Sequence, residues 1–182
     1  GGTDGNIISY DASGDPVAIS TGSDGQVLTS TGAGSPPAFE AAAAGGKILQ
    51  VVSAVATSTQ EVTATSYTDV TNVTADITPS ATSSKIFISV CSAYSSPTDT
   101  YTGYYTILRD STNLGDSTNG FGNVGSVPTR HWGYFAAVHV DSPSSTSALT
   151  YKLQAHKQSG GSSFYVTNNN APSTIVLMEI GA

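Results

Sequence analysis

Apolar and polar residues alternate along most of the chain after residue 46. In KIFISVCSAY the alternation places Ile86, Ile88 and Val90 on one face, and LTYKLQAHK repeats the pattern from Leu149 to Ala155. A period of two is typical of a half-buried β-strand. Turn residues separate these segments, so the pattern predicts eight to ten strands and no helix. We therefore expect an all-β antiparallel sandwich, most simply a jelly roll, over residues 47–182.

Two stretches depart from simple alternation. The segment TIVLMEIGA, which begins at Thr174, is almost continuously apolar, and an apolar strand left at an open sheet edge invites aggregation. We expect it to lie centrally in a sheet or to be buried against sister subunits. The stretch from Ser111 to Thr129 is rich in Gly, Asn and Ser, which predicts mostly loop.

The first forty residues contain two copies of a twenty-residue unit, G-x-D-G-x-Φ-Φ-x₅-G-x-P-x-A-Φ, where Φ is apolar. D-G and G-x-P are turn signals, so each copy predicts a small hairpin or a strand plus a loop. A lone hairpin is marginal in water, and such units bury their apolar residues by stacking on neighbours or on other chains. The predicted assembly residues are Ile7, Ile8, Ile19, Val27, Leu28 and Phe39. A flexible linker is the alternative.

The run AAAAGG at 41–46 predicts a hinge. The chain would therefore consist of an assembly segment, or shaft, over 1–46 and a β-sandwich head over 47–182.

The amino-acid composition argues against two classes of binding partner. Charged residues make up 10% of the chain, and only six are Lys or Arg against a net charge of −7. Binding to nucleic acid or to an anionic membrane surface requires more cations than this. No apolar run is long enough to span a membrane as a helix. Cys91 is the only cysteine and lies in the run KIFISVC, which predicts a buried, inert thiol.

The sequence carries no catalytic or cofactor motif. G-x-S-x-G, H-E-x-x-H, a P-loop and a dinucleotide fingerprint are all absent, so we expect neither an enzyme nor a cofactor. Asp4, Asp11, Asp15 and Asp24 fit ordinary turns better than a calcium site. His139 shares strand parity with Asp141. In a trimer, one His139 from each chain at the three-fold axis could bind a transition metal, and a hydrogen-bonded histidine beside a loop is the simpler interpretation.

Aromatic residues crowd the region 94–134 among Ser, Thr, Asn and a few charges. Tyr and Trp offer a flat apolar face with a polar tip, a combination enriched at recognition surfaces. Packing in the core or at a subunit interface is the competing interpretation. The candidate ligand-binding residues are Tyr101, Tyr104, Phe121, Arg130, His131 and Trp132. Loop tips at 95–101 and 114–130 are the favoured recognition surface.

The two repeat copies, GTDGNIISYDASGDPVAI and GSDGQVLTSTGAGSPPAF, resemble a repeat of bacteriophage virion proteins, especially tail fibres and other appendages. The segments KILQVVSA, SYTDVTNVTADITPSATSSKIFI, VDSPSSTSALTYKLQ and STIVLMEIGA resemble the C-terminal domains of the same fibres. The resemblance covers nearly the whole chain and is weak over 94–130. It implies a homotrimer in the virion, with an intertwined β-rich shaft and a jelly-roll head.

Three kinds of assembly follow from this organisation. The first is a trimeric fibre whose head contacts a host surface glycan or protein and whose N-terminal segment contacts other virion proteins. The second is a capsid decoration or head-fibre protein. The third is a subunit of an extracellular filament, in which residues 1–40 pair with the sheet edge of the next subunit.

Overall fold

The computed structural model describes residues 4–42, 48–96, 100–126, 130–167 and 171–181, and all regular secondary structure in these ranges is β. The predicted hinge lies mostly outside them, as do parts of both predicted loop tips. The strands are β1 Ile7–Tyr10, β2 Pro16–Ile19, β3 Gln26–Thr29, β4 Ala38–Ala41, β5 Ile48–Ala56, β6 Gln60–Val62, β7 Thr68–Ile77, β8 Lys85–Ser96, β9 Tyr101–Arg109, β10 Thr112–Asn113, β11 Gly122–Ser126, β12 His131–Asp141, β13 Leu149–Lys157, β14 Phe164–Val166 and β15 Ser173–Ile180.

The chain divides into two compact units, Gly1–Gly45 and Gly46–Ala182. Within the first unit each repeat copy forms one antiparallel hairpin, β1 with β2 and β3 with β4. The turn of the first hairpin follows from the chemistry of Asp11, whose Oδ1 accepts the backbone N–H groups of Ser13 and Asp15 at 2.8 and 3.0 Å. This aspartate therefore closes a turn, as the sequence predicts.

The second unit contains two antiparallel sheets. Apart from the short strands β6, β10 and β14, one sheet has the order β5-β15-β8-β12 and the other β7-β13-β9-β11. Numbered from one to eight along the chain, these strands run 1-8-3-6 and 2-7-4-5, which is the order of a jelly roll. The structure thus confirms an all-β sandwich. We call the two sheets the β5 sheet and the β7 sheet.

The core fills the space between the inner faces of these sheets. The alternation in β8 and β13 directs every second side chain inward, and Ile88, Leu153 and Leu177 are completely buried. Tyr105 stacks on Phe135 with ring centroids 4.4 Å apart and meets Phe164 edge-on at 5.8 Å. Such ring pairs add to the stabilisation that burial alone provides.

Three details of the fold bear on the predictions. The segment from Thr174 lies centrally, since β15 pairs with β5 on one side and β8 on the other. The described head has eleven strands rather than eight to ten. The stretch from Ser111 to Thr129, predicted as mostly loop, contains β10 and β11, because both short segments complete the open side of β9.

The prediction of a buried Cys91 is wrong. Its neighbours Val90 and Ser92 point into the core, so the alternation of β8 directs Cys91 outward, where it is half-buried. The apolar run around it was misleading because both faces of β8 carry apolar residues.

Buried charges are held by dense hydrogen bonding. Glu179, in β15, is 1% exposed and accepts bonds from the backbone N–H and hydroxyl of Ser80, the hydroxyl of Ser84 and the amide of Gln50, at 2.6–2.7 Å. Burial alone would raise the pKa of Glu179, but these donors outweigh it and lower the pKa to about 2. The turn between β7 and β8 is thereby tied to the end of β15.

A second cluster joins three strands of the head. Arg109 donates through Nη1 to both oxygens of Asp141 at 2.8 and 2.7 Å, and the Tyr151 hydroxyl donates to Asp141 Oδ2 at 2.7 Å. Burial raises the pKa of the Tyr151 hydroxyl, and the bond to Asp141 raises it further. Tyr151 therefore stays protonated and keeps its donor role.

Glu179→Gln is expected to remove an acid-sensitive part of the stability. Because the folded-state pKa lies below the usual 4.5, the carboxylate stabilises fully above about pH 4.5, and this contribution is lost as pH falls toward about 2. At pH 7 the variant should be less stable by about 1–3 kcal/mol, and the difference should shrink on acidification. Urea unfolding at pH 7, 4.5 and 3 measures it, with exposed Glu61→Gln as the control. A difference that is constant with pH would contradict the assignment.

Tyr105→Phe is expected to stabilise the protein by about 1 kcal/mol, a rise in Tm of roughly 2–4 °C, because the buried Tyr105 hydroxyl has no hydrogen-bond partner among the described residues. Tyr151→Phe is the matched control. It deletes a hydroxyl that donates to Asp141 and should lower Tm. Calorimetry compares the two, and a lower Tm for Tyr105→Phe would show that its hydroxyl is satisfied.

Candidate recognition surface

One row of polar and aromatic side chains crosses the outward face of the β7 sheet. The strand registers place Asn123 of β11 opposite Tyr104 of β9, and Tyr104 opposite His156 of β13. The pairing of β13 with β7 ends at Ala155 and Thr68, which brings His156 beside Tyr67. We call these four residues the recognition row.

The rings of this row are in direct contact. Tyr104 stacks on His156 with centroids 4.7 Å apart and planes 14° from parallel, and Tyr67 meets His156 edge-on at 4.4 Å. All three side chains are half-buried, so each retains some solvent-accessible surface. The row therefore presents a ridge of rings beside the exposed amide of Asn123.

A loop over residues 114–121 borders the row. Asp116 Oδ1 accepts the backbone N–H groups of Thr118 and Asn119 at 3.0 and 2.7 Å, which lowers the Asp116 pKa. The Thr118 carbonyl lies 3.4 Å from both the Tyr67 hydroxyl and His156 Nε2. Gly120 has φ +60, and a Cβ there would lie 2.0 Å from the Tyr105 carbonyl oxygen, so only glycine fits. The loop is consequently fixed against the sheet.

The Tyr67 hydroxyl keeps its proton in this environment. Burial, with Asp116 and Tyr104 nearby, raises the pKa of Tyr67 to about 12, so its hydroxyl remains a neutral donor and acceptor. Beside the row, Asp69 accepts from Gln154 at 2.6 Å and from Lys152 at 3.0 Å. Burial of Asp69 opposes ionisation, but these two donors lower its pKa overall. Rings, amides and paired charges thus lie together, which suits recognition of hydroxyl-rich ligands.

The structure separates the six predicted ligand-binding residues. Tyr104 belongs to the recognition row, whereas Tyr101 is 1% exposed and stacks on Phe164 in the core at 5.5 Å. Burial raises the pKa of Tyr101, and its hydroxyl, like that of Tyr105, lacks a partner among the described residues. Phe121 packs against the core and meets His139 edge-on at 5.3 Å. Tyr101 therefore presents no surface to a ligand.

The remaining three lie at the start of β12. The Arg130 guanidinium carbon lies 4.8 Å from the centre of the Trp132 ring, and His131 is 5.7 Å from Tyr94. Trp132 is 56% exposed and projects from the outward face of the β5 sheet. These residues form a second exposed group on the other sheet from the recognition row.

The candidate metal ligand His139 is half-buried, with its ring against Phe121. Its parity partner Asp141 binds Arg109 and Tyr151. Within the described ranges, no three His, Cys, Asp or Glu side chains gather closely enough to hold a metal ion. The described residues also include no helix with the length and apolar character needed to cross a membrane.

Of the four row members, sequence reasoning named Tyr104, covered Asn123 only within the predicted loop tip 114–130, and missed Tyr67 and His156. They lie 89 residues apart, and only the pairing of β13 with β7 brings them together. The alternation of apolar and polar residues is enough to predict that both side chains point outward. The sequence does not specify, however, which strands are neighbours.

Comparisons with known proteins give only distant structural matches. No family model matches the chain, and no curated protein does. Among solved structures, the T13 infectious bursal disease virus particle matches at 15% identity with a TM-score of 0.40, over 92% of this chain and 43% of that chain. The VP2 subviral particle of the same virus matches at 13% identity with a TM-score of 0.37, over 92% of this chain and 51% of that one. The chain thus spans about half the length of these proteins or less.

Proposed function

We propose that this chain is a non-enzymatic structural subunit of a virion, a homotrimeric fibre or appendage. Its residues 1–46 join copies and other virion proteins, and its head contacts the host surface. The proposal rests on the exposure of apolar side chains in the repeat hairpins. Ile8 is 73% exposed, and Val27 and Leu28 are each 44% exposed, on hairpins of only two strands. Such hairpins need further partners for stability.

The predicted assembly residues are distributed in a way that supports contact with other chains. Ile7 pairs with Ile19 across the first hairpin, and Leu28 pairs with Phe39 across the second. Each hairpin thus carries its own apolar pair, although the register of the second is shifted by one residue, so that Leu28 and not Val27, the repeat equivalent of Ile7, lies opposite Phe39. One apolar pair in each hairpin suits burial against sister chains, as in other repeat architectures.

Host contact is proposed for the recognition row. Non-covalent attachment through aromatic rings and amides requires no catalytic group, and multiple heads would convert weak single contacts into firm binding. The exposed group of Arg130, His131 and Trp132 is the alternative contact. A capsid decoration protein, or a filament subunit joined by strand addition, would use the same two units with different partners.

The assembly proposal predicts the solution mass. The full chain should have three times its own 18.4 kDa in light scattering. A chain beginning at Lys47 should also be trimeric if the head associates unaided. A full-length monomer at all concentrations would overturn the proposal. Long polymers from the full chain, with a monomeric head, would favour the filament.

The recognition proposal predicts a loss of binding without a loss of assembly. Against a panel of purified bacterial surface polysaccharides, Tyr104→Ala should weaken binding about tenfold or more, because it removes a stacking ring. Tyr165→Ala, a half-buried tyrosine on β14 of the other sheet, is the matched control. If Trp132→Ala abolishes binding and Tyr104→Ala does not, the contact lies at the start of β12.

A further inference from the structure

The outward face of the β5 sheet carries mostly apolar side chains, with two serines and one threonine among them, in cross-strand rows. Opposed residues in neighbouring strands project from the same face, so the registers define each row. The rows are Val51, Met178, Phe87 and Val140; Ser53, Val176, Ser89 and Val138; and Val55, Thr174, Cys91 and Ala136. We call these twelve residues the apolar face.

This face is open to solvent in the single chain. Val51, Val55, Val138 and Val140 are between 49% and 61% exposed. An antiparallel sheet with one face on the core usually carries polar residues on the other. The β7 sheet follows that rule, with Asp69, Lys152 and Gln154 pointing outward. The β5 sheet resembles one that is buried on both faces.

The apolar face is large enough to serve as an interaction surface. Four strands about 4.8 Å apart and five residues rising about 3.4 Å each give a flat area of roughly 330 Å². The relief of the side chains adds to this, and exposed Leu49 and Tyr134 extend the face along β5 and β12. Stable interfaces take about 800 Å² from each partner, and single exposed patches of several hundred Å² are commonly functional.

The charge distribution indicates the occupant. The twelve residues include no charged side chain, and Lys85 lies at the end of the face, opposite Ile180. The chain as a whole has a net charge of −7. A charged partner would leave ions desolvated against valines, whereas a second flat, uncharged sheet face would not. Among the surfaces of the described residues, the apolar face itself has that character, so the same face of other copies suits it as a partner.

We propose that copies of this chain pack against one another through the apolar face. This inference rests on the proposed function, which requires assembly, and adds the surface that the heads use. In a trimer the apolar faces of three heads would meet around the three-fold axis, so that each face contacts both of the others, since flat packing of two such faces alone would close as a dimer. The outward face of the β7 sheet, with its recognition row, then stays free for a ligand.

The test compares Val138→Glu with Thr74→Glu in the full chain. Valine and threonine have similar shapes, and both positions are exposed on the outward face of a strand. Val138→Glu should raise the dissociation constant for assembly at least tenfold in analytical ultracentrifugation, whereas Thr74→Glu should leave it unchanged. Val55→Glu, on the outer strand β5, provides a second variant should Val138→Glu fail to fold.

Cys91 gives an independent readout because it lies in one of the rows. Its labelling by a maleimide should be slow in the assembled wild type and at least tenfold faster in Val138→Glu. Trimers in which Cys91 reacts as quickly as in urea, or in which both valine variants assemble normally, would overturn this inference and leave the proposed function intact. A wild type that stays monomeric would overturn both.

Discussion

In a sandwich of two sheets, each sheet buries one face in the core. This constraint leaves the opposite face of each sheet outside the core. The inward residues of β8, β13 and β15 are almost fully buried. Whatever lies on the opposite faces is therefore free for other purposes. The outward face of the β7 sheet carries polar, charged and aromatic side chains, and the outward face of the β5 sheet carries mostly apolar, uncharged ones. The outward faces of the two sheets thus differ in chemical character, although both inward faces are apolar.

The low content of charged residues also affects how the head packs. With only 10% charged residues, the head excludes ions from most positions and surrounds the few buried ones with donors. Glu179 receives hydroxyls and an amide, and Asp141 receives a guanidinium and a phenol. A buried charge without such partners is strongly destabilising, so each of these clusters also fixes which strands lie together.

Alternation in the sequence was sufficient to predict the fold class and most strands, because a period of two is a local property. The central place of β15, one of two alternatives for that segment, followed instead from its almost continuously apolar run, which an open sheet edge would expose. The sequence could not place Tyr101 in the core and Tyr104 outside it, since aromatic composition alone does not set parity. The prediction that Cys91 is a core residue failed because the run around it is apolar on both faces. The neighbours of Tyr67 and the rows of the apolar face depend on strand order, which is a long-range property.

The position of β15 has a consequence for biosynthesis. This strand is synthesised after every other strand of the head, yet it lies between β5 and β8. The ribosome therefore delivers β5 and β8 long before the strand that joins them exists. Until then both present unpaired edges and apolar side chains, and pairing across so large a sequence separation is slow. The nascent head is thus most exposed to wrong association, or to capture by a chaperone, just before its last strand is added.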